Sequence, residues 1–278
     1  MTLTFKADTH SYKSLNSDED INWVSATGFV GLFKDKFDTD TVAKKVSKNK
    51  KSKWFGLTPE KIQEIWSSEA KRATDLGTWY HNQRESDIIG INTLEKYGIT
   101  LPVFTPIIKE GIKYAPEQKL KPGIYPEHFV YLKSAGLCGQ SDLVEVVNNE
   151  VHIIDYKTNK EIKKESFKNW EGISQKMSGP CSNLDDCNFN HYALQLSCYL
   201  YMILKHNPTY KPGKLTLHHI KFEEESKDEF GNPIAKRDLE GNPIVKELVL
   251  YELPYLKTEV ISMINWLHDN RETINKTK

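Results

Sequence analysis

Two aspartates and a lysine flank a short apolar hairpin in the stretch GQSDLVEVVNNEVHIIDYKTN, residues 139–159. Asn148-Asn149 is a two-residue turn of the kind that tolerates positive φ. The runs on either side are rich in Val, Leu and Ile, as strands are. With the turn at those two residues, Val147 faces Glu150, Asp142 falls opposite Asp155, and Gln140 falls opposite Lys157. Side chains alternate between the faces of a strand. Val144, Val146, Val151 and Ile153 therefore share a face with Asp142, Asp155 and Lys157. Cross-strand Cβ atoms sit about 4.5–5.5 Å apart, where like charges repel. A cation compensates that repulsion, and a hard divalent ion such as Mg²⁺ commonly takes one or two carboxylates. Lys157 returns to the same face, where its ammonium can meet an anion held at the metal. Two carboxylates, a metal and a lysine suit phosphodiester hydrolysis, in which the metal activates water and stabilises phosphoryl charge. The bland alternative is a solvated strand end whose charges coincide by chance.

Other residues can join such a site. GTWYHNQRE, residues 77–85, lies within a long helical stretch, and His81 and Glu85, four apart, share a face. Gly77, one turn before His81, lets that helix approach another element closely. A lone helical histidine is more often structural or exposed than a metal ligand. HYALQLSCYLYMI is a mostly apolar helix with a stripe of Tyr192, Gln195 and Tyr199, and a buried glutamine needs a partner. The segment KKVSKNKKSKWF carries six lysines before Trp54 and Phe55. Lys48, Lys50 and Lys51 can neutralise phosphates and Trp54 or Phe55 can stack on a base. A solvated charged helix face is the competing reading.

The elements that position these residues follow from pattern. Residues 3–25 read as short strands, and Ser25 caps a short helix. Thr58-Pro59, an N-cap followed by proline at the first helical position, opens a helix to about residue 89. A helix is expected near 105–115, strands at about 125–132, 138–147 and 151–157, a helix over 189–206, and a loop-rich segment over 165–188. The repeated GNPI at 231 and 241 is a turn signal within an excursion from about 223 to 247, read as an extended mobile hairpin or loop. A strand near 246–253 and a terminal helix follow. The expectation is one α/β domain over 1–278, with a helical amino-terminal part (about 26–115) and the hairpin excursion.

Composition narrows the class. The 278 residues are 38% hydrophobic and 27% charged, with zero formal net charge. A nucleic-acid partner must then be met by local patches rather than by global charge. No segment has the apolar length of a membrane span, and MTLTFKADTH lacks the pattern of a signal peptide, so a cytoplasmic protein is expected. Cys138, Cys181, Cys187 and Cys198 lack zinc-type paired spacing and read as reduced thiols.

The order GTWYH, Glu127, GQSD, IDYKT and QLSCY resembles the RecB-like branch of the PD-(D/E)XK nuclease superfamily, bacteriophage-encoded exonucleases above all. The opening HSYKSL…WVSATGF is similar as well, and the resemblance covers roughly residues 10–205. It implies a restriction-endonuclease-like core, a central mixed β-sheet flanked by helices. It implies that His81, Asp142 and Asp155 bind Mg²⁺, with Mn²⁺ as a substitute, and that Glu127 is a further acid of the site. It implies that Lys157 positions water or stabilises charge, and that Gln195 and Tyr199 orient catalytic groups and DNA. The second acid is Asp155 where many relatives carry Glu, and the cysteine spacing does not match the branch with an iron–sulfur cluster. The implied activity is a metal-dependent DNA exonuclease in phage replication or recombination, acting in the host cytoplasm beside replication or recombination proteins. A structure- or sequence-specific endonuclease shares the same chemistry. A nucleic-acid-binding module without catalysis is the rival from another class, and the intact acids, lysine and glutamine oppose it.

Overall fold

A computed structural model describes residues 3–6, 9, 11–15 and 21–276, with side chains through Arg271. His10 and residues 16–20 of the opening motif lie outside the described residues. The amino-terminal part holds β1 (Leu3–Lys6), β2 (Ser11–Ser14), β3 (Val24–Ser25), α1 (Ala26–Gly31), α2 (Thr39–Lys48) and α3 (Pro59–Ile88). Four short strands follow: β4 (Thr93–Lys96), β5 (Ile99–Pro102), β6 (Ile107–Lys109) and β7 (Ile112–Tyr114). The core comprises β8 (Gly123–Leu132), β9 (Leu137–Val147), β10 (Glu150–Lys157), α4 (Asn188–His206) and β11 (Lys211–Phe222). β12 (Glu224–Lys227), β13 (Pro233–Ala235), β14 (Val245–Leu253) and α5 (Lys257–Lys276) complete the chain.

The central sheet is mixed. β14, β11, β10 and β9 lie side by side, and β8 pairs with β9. β10 and β11 run parallel, while β9 is antiparallel to both β8 and β10. Alternation along the strands builds two cores. Val144, Val146, Val151 and Ile153 pack with Leu194, Leu196 and Leu200 of α4. Leu143, Val147, Ile154 and Tyr156 pack on the opposite side with Tyr80 of α3. The expected α/β arrangement, a central mixed sheet flanked by helices, is what the chain forms. Leu194, Leu196 and Leu200 are fully buried, and each such side chain stabilises the fold by about 1.5–3 kcal/mol relative to exposure.

Local chemistry sets the helix starts. Ser25 accepts from the Gly28 amide and Thr58 from the Lys61 amide, with Pro59 in the first turn. The helix expected near 105–115 is instead the β6–β7 hairpin. Glu110 (φ 51°) and Gly111 (φ 74°) form its turn, and β7 pairs with β1 in an accessory sheet ordered β2-β1-β7-β6. Tyr97-Gly98 makes a second such turn between β4 and β5. The amino-terminal part expected to be helical over about 26–115 is thus helical only as far as Ile88. Ile107, Ile108 and Ile112 suit a pleated surface, and a glycine with positive φ breaks any helix there.

Two glycines permit close docking. A Cβ on Gly77 would lie 3.2 Å from Thr158 Oγ1, so α3 meets the end of β10 at the position read as a contact point. A Cβ on Gly139 would lie 2.6 Å from Tyr199 Cε1. Gly139→Ala is therefore expected to destabilise the protein by about 1–3 kcal/mol through overpacking, seen as a lower urea midpoint. An unchanged midpoint would contradict this docking of α4 on β9.

Candidate metal centre and active site

The site forms where two strands part. Asn148 (φ 49°) and Asn149 (φ 64°) make the turn, and the ladder runs from Val147↔Glu150 to Leu143↔Ile154 in the expected register. It then stops. Asp142 and Asp155 were expected as direct cross-strand partners, but the strands separate one step earlier. The Tyr156 amide donates to Asp142 Oδ2 at 2.7 Å, so a side chain takes the place of a backbone acceptor. Gln140 pairs with Phe129 of β8 rather than with Lys157. β10 continues alongside β11 as far as Lys157↔His219. Repulsion between two carboxylates disfavours direct pairing, and the parted strands open the cleft.

Three elements bring acids and a histidine together. β8 lies along β9 with Pro126↔Leu143 and His128↔Ser141 on either side of Glu127, which places Glu127 level with Asp142. Glu127 has φ 50°, a conformation that costs a non-glycine residue on the order of 1–3 kcal/mol and clusters at functional sites. From α3, His81 sets Nδ1 3.4 Å from Asp142 Oδ2 and Nε2 3.0 Å from the Tyr156 carbonyl oxygen. With Nε2–H donating to that carbonyl, Nδ1 turns a lone pair toward a carboxylate. Two acceptors facing each other require a proton or a cation between them. A metal-binding histidine typically donates its other N–H in this way. Ligand atoms of His81, Glu127 and Asp142 all lie within 4.8 Å of one another. Two carboxylates and an imidazole fit a divalent cation.

Burial shapes the electrostatics. Desolvation raises the Asp142 carboxyl to about 6, and the neighbouring Asp155 adds to the rise. Desolvation and then Asp142 raise Glu127 to about 8, against the pull of Lys113. Asp155 is 2% exposed, and its carboxylate contacts the Lys157 ammonium. Burial alone would lower Lys157, but Asp155 and Asp142 outweigh it and leave the ammonium raised to about 12. Lys157 also lies 5.1 Å over the Tyr192 ring. On α4, Gln195 Nε2 donates to the Tyr199 hydroxyl at 3.1 Å, and burial holds that phenol well above its ordinary pKa.

His81, Tyr156, Lys157 and Tyr192 line an open cleft of about 490 Å³. A groove of about 860 Å³ adjoins it through Ala73, Thr158 and Asn159, between α3 and the excursion. The excursion repeats one turn. Asp228 Oδ1 accepts from the amides of Phe230 and Asn232, as Asp238 Oδ1 does from those of Glu240 and Asn242. It is tied to the α2–α3 connection and to α3. Phe230 stacks on Trp54 with ring centroids 5.5 Å apart, and Lys53 donates to the Phe230 carbonyl at 2.6 Å. Arg72 pairs with Asp228 at 3.1 Å. Trp54, read as a base-stacking residue, thus has one face against Phe230, while Lys48, Lys50 and Lys51 are exposed and outside the acid cluster.

Sequence reasoning missed Lys113. Its Nζ lies 3.4 Å from Glu127 Oε2. The available signal was a lysine inside the short apolar run Ile112-Lys113-Tyr114 after a glycine turn.

A family model described as the PD-(D/E)XK nuclease superfamily matches residues 108–275. The matched stretch includes Glu127, Asp142, Asp155, Lys157, Gln195 and Tyr199 and begins after α3, so His81 lies outside it. No curated protein and no solved structure matches the chain.

Proposed function

We propose, for a chain that belongs to the PD-(D/E)XK nuclease superfamily, a Mg²⁺-dependent deoxyribonuclease that degrades DNA from its ends. The observation that carries this reading is the His81–Glu127–Asp142 cluster beside the Asp155–Lys157 pair where β9 and β10 part. A divalent cation bound there supplies Lewis-acid stabilisation of phosphoryl charge and lowers the pKa of water. Asp142, Glu127 and His81 hold it, and Asp155 is a further acid within reach of Asp142's charge. Lys157 is held by Asp155 on the cleft wall, where its ammonium stabilises charge on a phosphate oxygen. Gln195 and Tyr199 brace the α4 side.

Membership in the RecB-like branch, and a role in phage replication or recombination within the host cytoplasm, rest on the motif order read from the sequence. Among the described residues, no helix is long and apolar enough to cross a membrane. End-on entry is supported by the excursion, whose ties to the α2–α3 connection and to α3 bridge the groove that adjoins the cleft. A bridged groove favours a threaded end over a duplex laid in from the side.

The test is a side-by-side digest of linear and covalently closed circular DNA, single- and double-stranded, in Mg²⁺ and in EDTA. Linear molecules are expected to shorten from their termini in Mg²⁺ alone while closed circles survive. Rapid cutting of closed circles by wild type, absent in Asp155→Asn, would replace the exonuclease with an endonuclease. DNA retention without hydrolysis in Mg²⁺ would favour a binding module.

A further inference from the structure

We propose that Lys113 is a second phosphate-binding lysine of this site, contributed by the accessory sheet and released for substrate when a cation takes Glu127. This rests on the nuclease reading above.

Lys113 sits on β7, opposite Phe5 of β1 and Ile108 of β6. Its side chain is 12% exposed and that of Glu127 is 11% exposed. A lysine so buried persists when it is paired, and the Glu127 carboxylate supplies the pairing. The same carboxylate is one of the three groups that converge with His81 and Asp142. Glu127 therefore faces two claims, an ammonium from the accessory sheet and a cation in the cluster. Its left-handed backbone holds the carboxylate at that junction, at a cost that a simple anchor for the accessory sheet does not require.

A single carboxylate cannot fully compensate both charges. A cation at Glu127 weakens the hold on Lys113 and leaves an ammonium short of its counter-ion in a buried setting. The anion that enters with the substrate is a phosphate of the nucleic-acid chain. Lys157 keeps Asp155 as its counter-ion, so Lys113 becomes available as a second, buried cation. Before a cation binds, the ionised form of Glu127 holds Lys113. After it binds, Lys113 gives a charge-assisted hydrogen bond to a phosphate oxygen.

The experiment uses full-length protein and two probes, Mn²⁺ and thymidine 5′-monophosphate, measured by calorimetry. Lys113→Met keeps the apolar stem and removes the charge. It is expected to bind Mn²⁺ about fivefold more tightly, since a competing cation is gone. In saturating Mn²⁺ it is expected to bind the nucleotide about tenfold more weakly. Lys113→Arg should retain nucleotide binding. Glu127→Gln, which frees Lys113 without removing it, should strengthen metal-free nucleotide binding, and adding Lys113→Met should cancel that gain. This pair keeps the idea testable if Lys113→Met alone fails to fold. An anchoring role predicts something else: both affinities fall together with the melting temperature, and Glu127→Gln gains no nucleotide affinity. That result overturns the proposal. Wild-type protein that binds Mn²⁺ and hydrolyses DNA, with nucleotide affinity unchanged in Lys113→Met, overturns this inference alone. Wild-type protein that binds no Mn²⁺ overturns the nuclease reading and this inference with it.

Discussion

Asp142→Asn is expected to lower DNA hydrolysis on the order of a thousandfold while making the metal-free protein more stable. The carboxylate sits against Asp155 and Glu127 and in front of His81 Nδ1. An asparagine keeps an oxygen at that position to accept from the Tyr156 amide and removes the charge that Asp155 and Glu127 oppose. The pH dependence has a definite sign. Asp142 is raised to about 6 and Glu127 to about 8, both above the values of an unfolded chain. The native state then binds more protons than the unfolded state across that interval. Metal-free stability therefore falls as pH rises from about 4 to 8. A rise of about two pKa units at Asp142 corresponds to roughly 2–3 kcal/mol, a few degrees of melting temperature. Melting curves in EDTA between pH 4 and 8 should slope downward for wild type and less steeply for Asp142→Asn. Mg²⁺ should lift wild type at the alkaline end and leave the variant nearly unmoved. Wild-type turnover by Asp142→Asn, or a lower melting point than wild type at pH 8 in EDTA, would contradict the assignment.

Lys157→Ala is expected to remove activity and to destabilise the fold as well. Asp155 is 2% exposed and the Lys157 side chain is 20% exposed, so the pair is largely shielded from water. Deleting the lysine leaves a buried carboxylate without its counter-charge, a loss on the order of 3–5 kcal/mol. The two effects separate in the double variant Asp155→Asn/Lys157→Met. It removes both charges, retains most of the buried volume, and is expected to recover most of the stability without recovering turnover. Urea denaturation and a labelled-DNA digest on the single and double variants measure the two quantities independently. Full activity in Lys157→Ala would remove the lysine from the chemistry. Equal stability of Lys157→Ala and the double variant would show that the ion pair does not support the fold.

The sequence by itself determined the features that depend on near neighbours. The Asn148-Asn149 turn and the alternation of valines gave the hairpin register as far as Ile154↔Leu143, because turn chemistry and pleat act over a few residues. The caps at Ser25 and Thr58, the close approach at Gly77 and the repeated GNPI turns were legible for the same reason. The order of His81, Glu127, Asp142, Asp155 and Lys157 was legible as well, since a motif is a one-dimensional object. The tertiary structure decided how those charges meet. The ladder opens before Asp142 because that side chain takes the Tyr156 amide, an exchange no periodicity encodes. The stretch from 105 to 115 became a hairpin because β1, about a hundred residues away, supplies a strand partner. That pairing sends Lys113 to Glu127. Trp54 turned toward Phe230, across the chain from it. Local pattern specifies which face a residue occupies, but a charge's partner is chosen by packing between distant segments, where burial makes each unpaired group costly.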